Sequence, residues 1–547
     1  MLWWAVLGLA GSGRMSGAGG PPVWERSGWG SVPRELAPPD ASRGLEYFLA
    51  TDGSVPTRER GRPWTTPWVV RSNGVVRVAA YRGAERVGAV ETRTFLFPEA
   101  VGRQTGAGLP PAWGSKDGRP VPADYAMDPE VTQAVGGAEA LAQAWRAMQV
   151  LSLALEPADL WDEARGLYAH PEERGEAWER PVAVELLPED GTTGFRVEAG
   201  LRIQGGWNRR PEESPKHSFR LVFRRRYGPG RLEYPLFGGG PGGGRFETLV
   251  LRAGNNHSWL HWSAGERQTA DYLRDEWVRR THAAMGGAAP RGRFVHLFLN
   301  GLYWGLYNLV ERPDEHFAAV HLGGAAADYE ARNADKVLAG DDQAWEELWR
   351  RVETLGTPPG AWTAVGELLD LPQFCDYLLL HLYAGNGDWD GGSNWYALRR
   401  RNPGGRFQFV VWDAERTLER VEDNRLADDF ERSPMRLFQR LRSRPEFRRL
   451  LAAQARKHLA AEGVLGAGPA GEWFRRLAGE IEAAVVAESA RWGDYRLTVH
   501  PYREGRYERY TREDHWRPEI RRLLEDYFPR RPAAFRRQLT EAGLLDP

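Results

Sequence analysis

Cysteine is nearly missing from this 547-residue chain. Cys375 stands alone, so no disulfide framework can form, and its place in the apolar stretch LPQFCDYLLLHLY makes it core filling. Lysine is almost as scarce. Only Lys116, Lys216, Lys336 and Lys457 occur among 73 basic residues, so nearly every positive charge is an arginine and each lysine is more informative than usual. An excess of either charge is missing too: 73 Lys and Arg against 74 Asp and Glu mean that nothing in the overall charge favours nucleic acid or an anionic membrane, and no nucleic-acid partner is expected. Long apolar runs are absent, so no membrane span is expected. The opening MLWWAVLGLAGSGRM has no basic lead and no clear small-x-small cleavage site, and reads as the remnant of a signal peptide. No repeat period is visible.

The length suits two or three domains, each large enough for its own core. After a Gly/Pro-rich lead over residues 1–40, short alternating runs separated by Asp-Gly, Asn-Gly and Arg-Gly turns predict a small all-β sandwich over 41–100. It resembles the chitobiase/β-hexosaminidase C-terminal-type domain through Tyr47, Thr51-Asp52-Gly53-Ser54, Pro56-Thr57 and Val76 to Tyr81. No catalytic constellation is visible in it, so a spacer role or glycan contact through exposed aromatics is expected. Residues 101–135 shift to Gly, Pro and polar residues and read as a surface linker containing Lys116. A helix near Gly137 to Gln149 and an extended run to Glu156 follow.

The stretch from Leu378 to Leu418 organises the rest. An apolar helical run, Phe374 to Tyr383, stops at Ala384-Gly385, and a loop carrying Asp388, Asp390 and Asn394 follows. Two strands, Trp395 to Arg399 and Phe407 to Trp412, flank the turn Asn402-Pro403-Gly404-Gly405, and the second ends on Asp413. Helix, Asp-and-Asn loop, hairpin and strand-end Asp is the layout of a kinase catalytic centre, in which one Asp orients the acceptor hydroxyl while an Asn and a second Asp hold magnesium. Phosphoryl transfer needs oxygen ligands on a hard cation and one oriented carboxylate, and Asp and Asn supply them. Taken singly, each of these residues also suits an ordinary turn or strand end.

Upstream, residues 136–312 read as a mixed N-lobe and 313–547 as a helical C-lobe. Gly205-Gly206 lets backbone amides approach phosphate, although no G-x-G-x-x-G is present. Lys216 opens an alternating strand, His217 to Phe223, and suits either the α/β-phosphates or a solvated sheet edge. The predicted helix Gly265 to Met285 offers Glu266, Asp271, Asp275 and Glu276 as partners for that lysine. Strands Arg293 to Leu299 and Tyr303 to Val310 flank the hairpin signal Asn300-Gly301. Glu311, at the place of a kinase hinge, suits adenine or ribose, or a structural pair with Arg312.

These residues together resemble the spore-coat CotH kinase family of atypical secreted or cell-surface protein kinases. The likeness is carried by Gly200 to Gly206, Pro215-Lys216-His217-Ser218-Phe219, Leu251-Arg252, Leu273-Arg274-Asp275, Leu299-Asn300-Gly301, Gly305-Leu306-Tyr307 and Glu311-Arg312-Pro313. It continues in Gly387-Asp388-Trp389, Asn394-Trp395-Tyr396 and Trp412-Asp413-Ala414-Glu415. The resemblance implies an α+β chain with a divergent two-lobed protein-kinase-like fold behind the sandwich. It also implies ATP- and Mg²⁺-dependent phosphorylation of Ser or Thr in a protein substrate, outside the cell or at its surface. Carried onto matching positions, Asp388, or alternatively Asp390, takes the catalytic role. Asn394 and Asp413 hold the metal with Glu415 adding an oxygen, Lys216 touches phosphate, and Asp275 pairs with that lysine. The spacing from catalytic Asp to metal Asn is five in ordinary kinases; here Asp388 lies six residues from Asn394 and Asp390 four. His-Arg-Asp and Asp-Phe-Gly give way to Gly-Asp-Trp and Trp-Asp-Ala-Glu.

Overall fold

The computed structural model describes residues 26–30, 33–40, 44–190, 192, 194–239, 244–355, 361–389, 393–499 and 507–546. Residues 1–25 of the N-terminal lead and Asp390 lie outside the described residues, while the end of the lead carries two short strands, Gly28–Trp29 and Arg34–Leu36. The chain is a mixed α and β protein whose centre is a closed barrel. Seven strands form it: β1 (Val150–Ala154), β2 (Arg180–Leu187), β3 (Arg196–Gln204), β4 (Ser218–Val222), β5 (Thr248–Arg252), β6 (Gly292–Leu299) and β7 (Leu302–Glu311). Their order is β1-β2-β3-β4-β5-β7-β6, and parallel pairing of β1 with β6 closes the ring. Period-two alternation fills it. Leu151, Leu153, Leu201, Ile203, Phe219, Leu221, Leu249, Leu251, Tyr307 and Leu309 point inward to one buried cluster, while their neighbours Arg202, Gln204, Arg220 and Arg252 are left to the outer wall.

The interval 101–135, expected to be a surface linker, instead helps seal this barrel. Its hairpin, Ala112–Lys116 with Arg119–Pro122, buries Trp113, which packs with Tyr125, Trp304 and Trp492 because an indole needs more apolar cover than a short hairpin can provide alone. The N-terminal residues form a five-stranded sheet and a two-stranded ribbon, Arg34–Leu36 with Trp68–Val70, around Leu36, Leu49, Trp64, Val76 and Phe95. This module is bonded to the barrel. Thr94 donates to Ser152 at 2.8 Å and to buried Glu185 at 3.0 Å, and Val55 N–H donates to Glu156 at 2.7 Å.

A second sheet, in order β9-β8-β10-β11, is built from β8 (Tyr329–Asn333), β9 (Lys336–Ala339), β10 (Trp395–Arg400) and β11 (Gln408–Val411). One face meets the barrel wall through Tyr396, Leu398 and Val410 against Val250 and Val310. The other packs Trp395, Phe409 and Val411 into the large helical core. Three helices matter most: α1 (Arg274–Ala284), α2 (Leu371–Ala384) and α3 (Val485–Trp492). The single helix expected over Gly265 to Met285 is broken. A short helix, Ala264–Gln268, ends before Tyr272, whose φ of 66° is left-handed, and α1 begins two residues later. No helix among the described residues is long and apolar enough to cross a membrane.

Candidate active site

The apolar sequence of α2 buries almost its whole circumference, so the helix sits rigidly in the core. Gly385, with φ of 65°, ends it in the left-handed conformation that favours glycine, and Asn386 N–H reaches back to His381 O at 3.1 Å. Asn386 is buried and works twice. Its Nδ2 donates to His381 Nδ1 at 3.0 Å, and its Oδ1 accepts the Asp388 N–H at 3.0 Å. Burial keeps His381 well below the usual imidazole range, consistent with a neutral ring whose Nδ1 accepts. Trp389 stacks on that ring at 4.3 Å and 7° and pins the loop, leaving Asp388 exposed. Two backbone bonds, Gly387 N–H to Arg416 O at 2.9 Å and Leu418 N–H to Ala384 O at 2.8 Å, zip this loop to the segment after β11.

That zipper brings Asp388, Asn394, Asp413 and Glu415 into one cleft of about 800 Å³ between the barrel wall and the second sheet. Asn394 and Asp413 both adopt left-handed backbone, with φ of 69° and 58°. Asn and Asp tolerate this best among residues with a Cβ, and such strain gathers at working sites. Asn394 Nδ2 donates to Asp388 O at 2.6 Å, and its amide oxygen has no partner among the described residues. Desolvation in the cleft, then the Asp413 charge, holds the Asp388 carboxyl above its usual range.

Arg252, at the end of β5, faces these acids. Its Nη2 donates to Asp413 Oδ1 at 2.5 Å and to Glu415 Oε1 at 2.8 Å, and its Nε lies 3.1 Å from Asp275 Oδ2. Asp275, on the first turn of α1, also bonds Arg279 at 3.0 Å and accepts the Ala414 N–H at 2.9 Å. Burial opposes ionisation of Asp275, yet Arg252 and Arg279 hold its carboxyl below the usual range. Glu415 is different. Its Oε2 accepts the Asn256 N–H at 2.9 Å, and burial, only partly offset by Arg252, pushes it up to about 7.

Several expected roles therefore change. Lys216 does not line the cleft: its ammonium is buried and bonded to Glu488 Oε1 of α3 at 2.6 Å and to Leu306 O at 2.7 Å. Asp275 pairs with Arg252 and Arg279, not with that lysine. Glu311 is engaged by Arg291 at 2.6 Å and by His321 at 3.0 Å, away from the cleft, so it forms a structural pair, though not with Arg312. Glu415 has both oxygens occupied by Arg252 and the 255–256 amides, which fits it to hold Arg252 better than to hold a metal. Asp388 lines the cleft, and its alternative, Asp390, is outside the described residues.

Arg252, part of the Leu251-Arg252 pair that carries the family likeness, has no role expected from the sequence. The signal was present: a charged end to the apolar strand TLVLR, one element ahead of Arg274-Asp275, in a chain that writes arginine almost everywhere another protein would use lysine.

A second cluster, His257, Glu266 and Glu419, gathers its ligand atoms within 4.8 Å. It is already filled by protein cations. Arg274 Nη1 lies 2.9 Å from His257 Nε2, and Arg416 lies 3.3 Å from Glu266 and 3.6 Å from Glu419. For a divalent ion the fit is better at the cleft: Asp413 is a third exposed, and the Asn394 amide oxygen has no partner among the described residues.

An amide and carboxylates that converge on one cleft, with a guanidinium on the facing wall, define a site for a hard cation and a polyanion. The family comparison agrees. The CotH kinase protein model matches residues 201–533, most of the chain, and the protein belongs to the CotH kinase family. A search of curated proteins finds no match.

Proposed function

We propose that the chain transfers the γ-phosphoryl group of Mg²⁺-ATP to a Ser or Thr hydroxyl of a protein substrate, outside the cell or at its surface. The observation that carries the reading is the convergence of Asp388, Asn394 and Asp413 in one cleft, opposite a strand arginine tied to a helix carboxylate. Arg252 with Asp275 stands in the relation that the strand lysine and helix glutamate hold in ordinary kinases, and Glu311-Arg312-Pro313 joins the barrel to the helical part. Magnesium would sit on Asp413 and the Asn394 oxygen and would neutralise charge developing on the phosphates. Asp388 orients the acceptor hydroxyl and takes its proton. Its carboxyl, held above the usual range by desolvation and the Asp413 charge, makes it a better base than an ordinary aspartate. The Gly205-Gly206 loop lines the same cleft; Gly205, with φ of 123°, lies in a region closed to most side chains, so the backbone can approach a phosphate there.

Incubation with γ-labelled ATP and Mg²⁺ tests the reading, with Asp413→Asn and Asp388→Asn as controls. Transfer that is abolished in both variants supports it, and equal incorporation in wild type and variants rejects it.

One observation favours a non-catalytic scaffold instead: Arg252 already pairs with Asp413, the carboxylate that would hold the metal. A thermal shift separates the two readings, because a nucleotide that binds the folded chain must raise its melting temperature. The aromatic rings of the N-terminal module, Trp64, Phe95 and Phe97 among them, are buried or half-buried, so a spacer role suits it better than glycan contact.

A further inference from the structure

On the hinge side of the cleft one guanidinium, Arg220, has no carboxylate paired with it among the described residues. Arg202 on β3 and Arg220 on β4 are register partners on the outer wall of the barrel, so two guanidiniums stand side by side. Like charges in that position repel, and a sheet without a use for them avoids the arrangement. Arg252 is diagonal to Arg220, because Arg220 pairs with Val250. The two arginines nevertheless have opposite surroundings. Arg252 is saturated by Asp275, Asp413 and Glu415, whereas Arg220 makes no ion pair among the described residues.

The polar partner of Arg220 is the neutral amide oxygen of Gln204, which accepts from Nε at 2.8 Å and from Nη2. Its Nη1 has no protein partner among the described residues. Burial, followed by the charges of Arg312 and Arg202, pulls Arg220 down to about 9, which measures how poorly its charge is compensated. Nearby carboxylates do little for Arg220 and serve other arginines instead. Asp314 bonds Arg312 at 3.1 Å but also caps the next helix, and Glu179 lies 3.8 Å from Arg202 while serving Arg224 and Arg226. Arg220, Arg312 and Lys336 all line the cleft, with Tyr396 beside them.

We infer that this end of the cleft is an oxyanion site: Arg220 and Arg312 on the barrel side and Lys336 on the second sheet receive a phosphate or pyrophosphate group, and the site works without a metal. The inference deepens the phosphotransfer reading by placing a second phosphate-binding locus beside the acid cluster. The anion is either the nucleotide's own phosphate chain, drawn to the hinge side, or a phosphate carried by the second substrate.

The test is isothermal titration calorimetry of inorganic pyrophosphate in EDTA on the full chain, comparing wild type with Arg220→Gln and Lys336→Gln. Wild type binds. R220Q, which loses a charge-assisted bond, binds at least tenfold more weakly, and K336Q about threefold more weakly. R220Q also melts no lower than wild type, because it removes a repelled charge, and Lys336 is exposed, so neither result can be confused with unfolding. The same titration with ATP in EDTA identifies the source. A matching tenfold loss in R220Q assigns the nucleotide's phosphates, and unchanged ATP affinity beside lost pyrophosphate binding assigns a phosphate of the second substrate. No pyrophosphate binding by wild type, or equal binding by R220Q, overturns the site. Transfer is not read, so a chain that binds pyrophosphate through Arg220 yet phosphorylates nothing keeps this site and loses only the catalytic reading.

Discussion

Arg252 donates to Asp413 across 2.5 Å, so the barrel and the strand-end loop that faces it are joined through one guanidinium. The same side chain holds Asp275 and Glu415 and is nine-tenths buried. Removing it takes a shared cation from three carboxylates at once, of which only Asp275 keeps another, Arg279. Arg252→Met is expected to lose about 3–5 kcal/mol of stability, the usual result of leaving buried charges unpaired, and to abolish transfer. Arg252→Lys keeps a charge but loses the fork that reaches three acids, and is expected to lie between wild type and R252M. Urea unfolding of the three proteins checks this; an R252M curve that overlays wild type contradicts the pairing.

Asp413 should behave differently, because it is a third exposed and Arg252 retains two other carboxylates without it. Asp413→Asn keeps a side chain suited to φ of 58° and is expected to change stability by less than about 1 kcal/mol. Transfer should nevertheless fall by at least a hundredfold, together with the magnesium dependence of ATP binding. A large drop in melting temperature would show that Asp413 is mainly structural.

Glu415 sets a pH dependence. Its carboxyl titrates near 7 when folded, above its ordinary value of 4.5, so between those limits the folded chain holds a proton that the unfolded chain has released. Its contribution to stability is therefore complete below about pH 4.5 and is lost as pH rises toward 7. Glu415→Gln, which mimics the protonated form, should match wild type near pH 4.5 and exceed it above pH 7, by up to roughly 3 kcal/mol. Denaturant midpoints for both proteins across that range decide it, and parallel profiles would count against the assignment.

Lys216 and Glu488 form a fully buried pair 2.6 Å apart. Lys216→Met should cost about 3–5 kcal/mol, and adding Glu488→Leu should restore much of that, since a matched apolar pair avoids the uncompensated charge. Measured under conditions where it stays folded, the double variant should keep the metal-free pyrophosphate affinity of wild type, because neither residue reaches the cleft. A selective loss of that affinity would return Lys216 to phosphate binding.

Local signals in the sequence proved the most readable. The stop at Gly385, the hairpin at Asn300-Gly301 and the strands on either side of Asn402 to Gly405 each rest on a few adjacent residues, and the structure has all of them. Asp388, Asn394 and Asp413 were legible for the same reason, being set by one helix end and one hairpin. Pairings across long separations were not. Nothing near Val150 announces that it lies beside His296, and that pairing closes the barrel. Lys216 misled because its rarity drew attention, while burial and Glu488, 272 residues away, decide its role. The 101–135 interval looked like a linker by composition, yet its Trp113 and Tyr125 pack at the barrel with partners no local pattern reveals.

Helix α3 has a consequence for how the molecule is made. Glu488 accepts the Leu306 N–H at 2.7 Å, Trp492 donates to Trp304 O at 2.8 Å, and Gly305 must lack a side chain because a Cβ there would meet Glu488 at 2.6 Å. The barrel strands are all synthesised by residue 311, but Lys216 then has no counter-charge and the aromatic interior lacks its last wall. The barrel must wait for nearly two hundred further residues before it is sealed, so a prematurely terminated chain would expose a sticky, open interior.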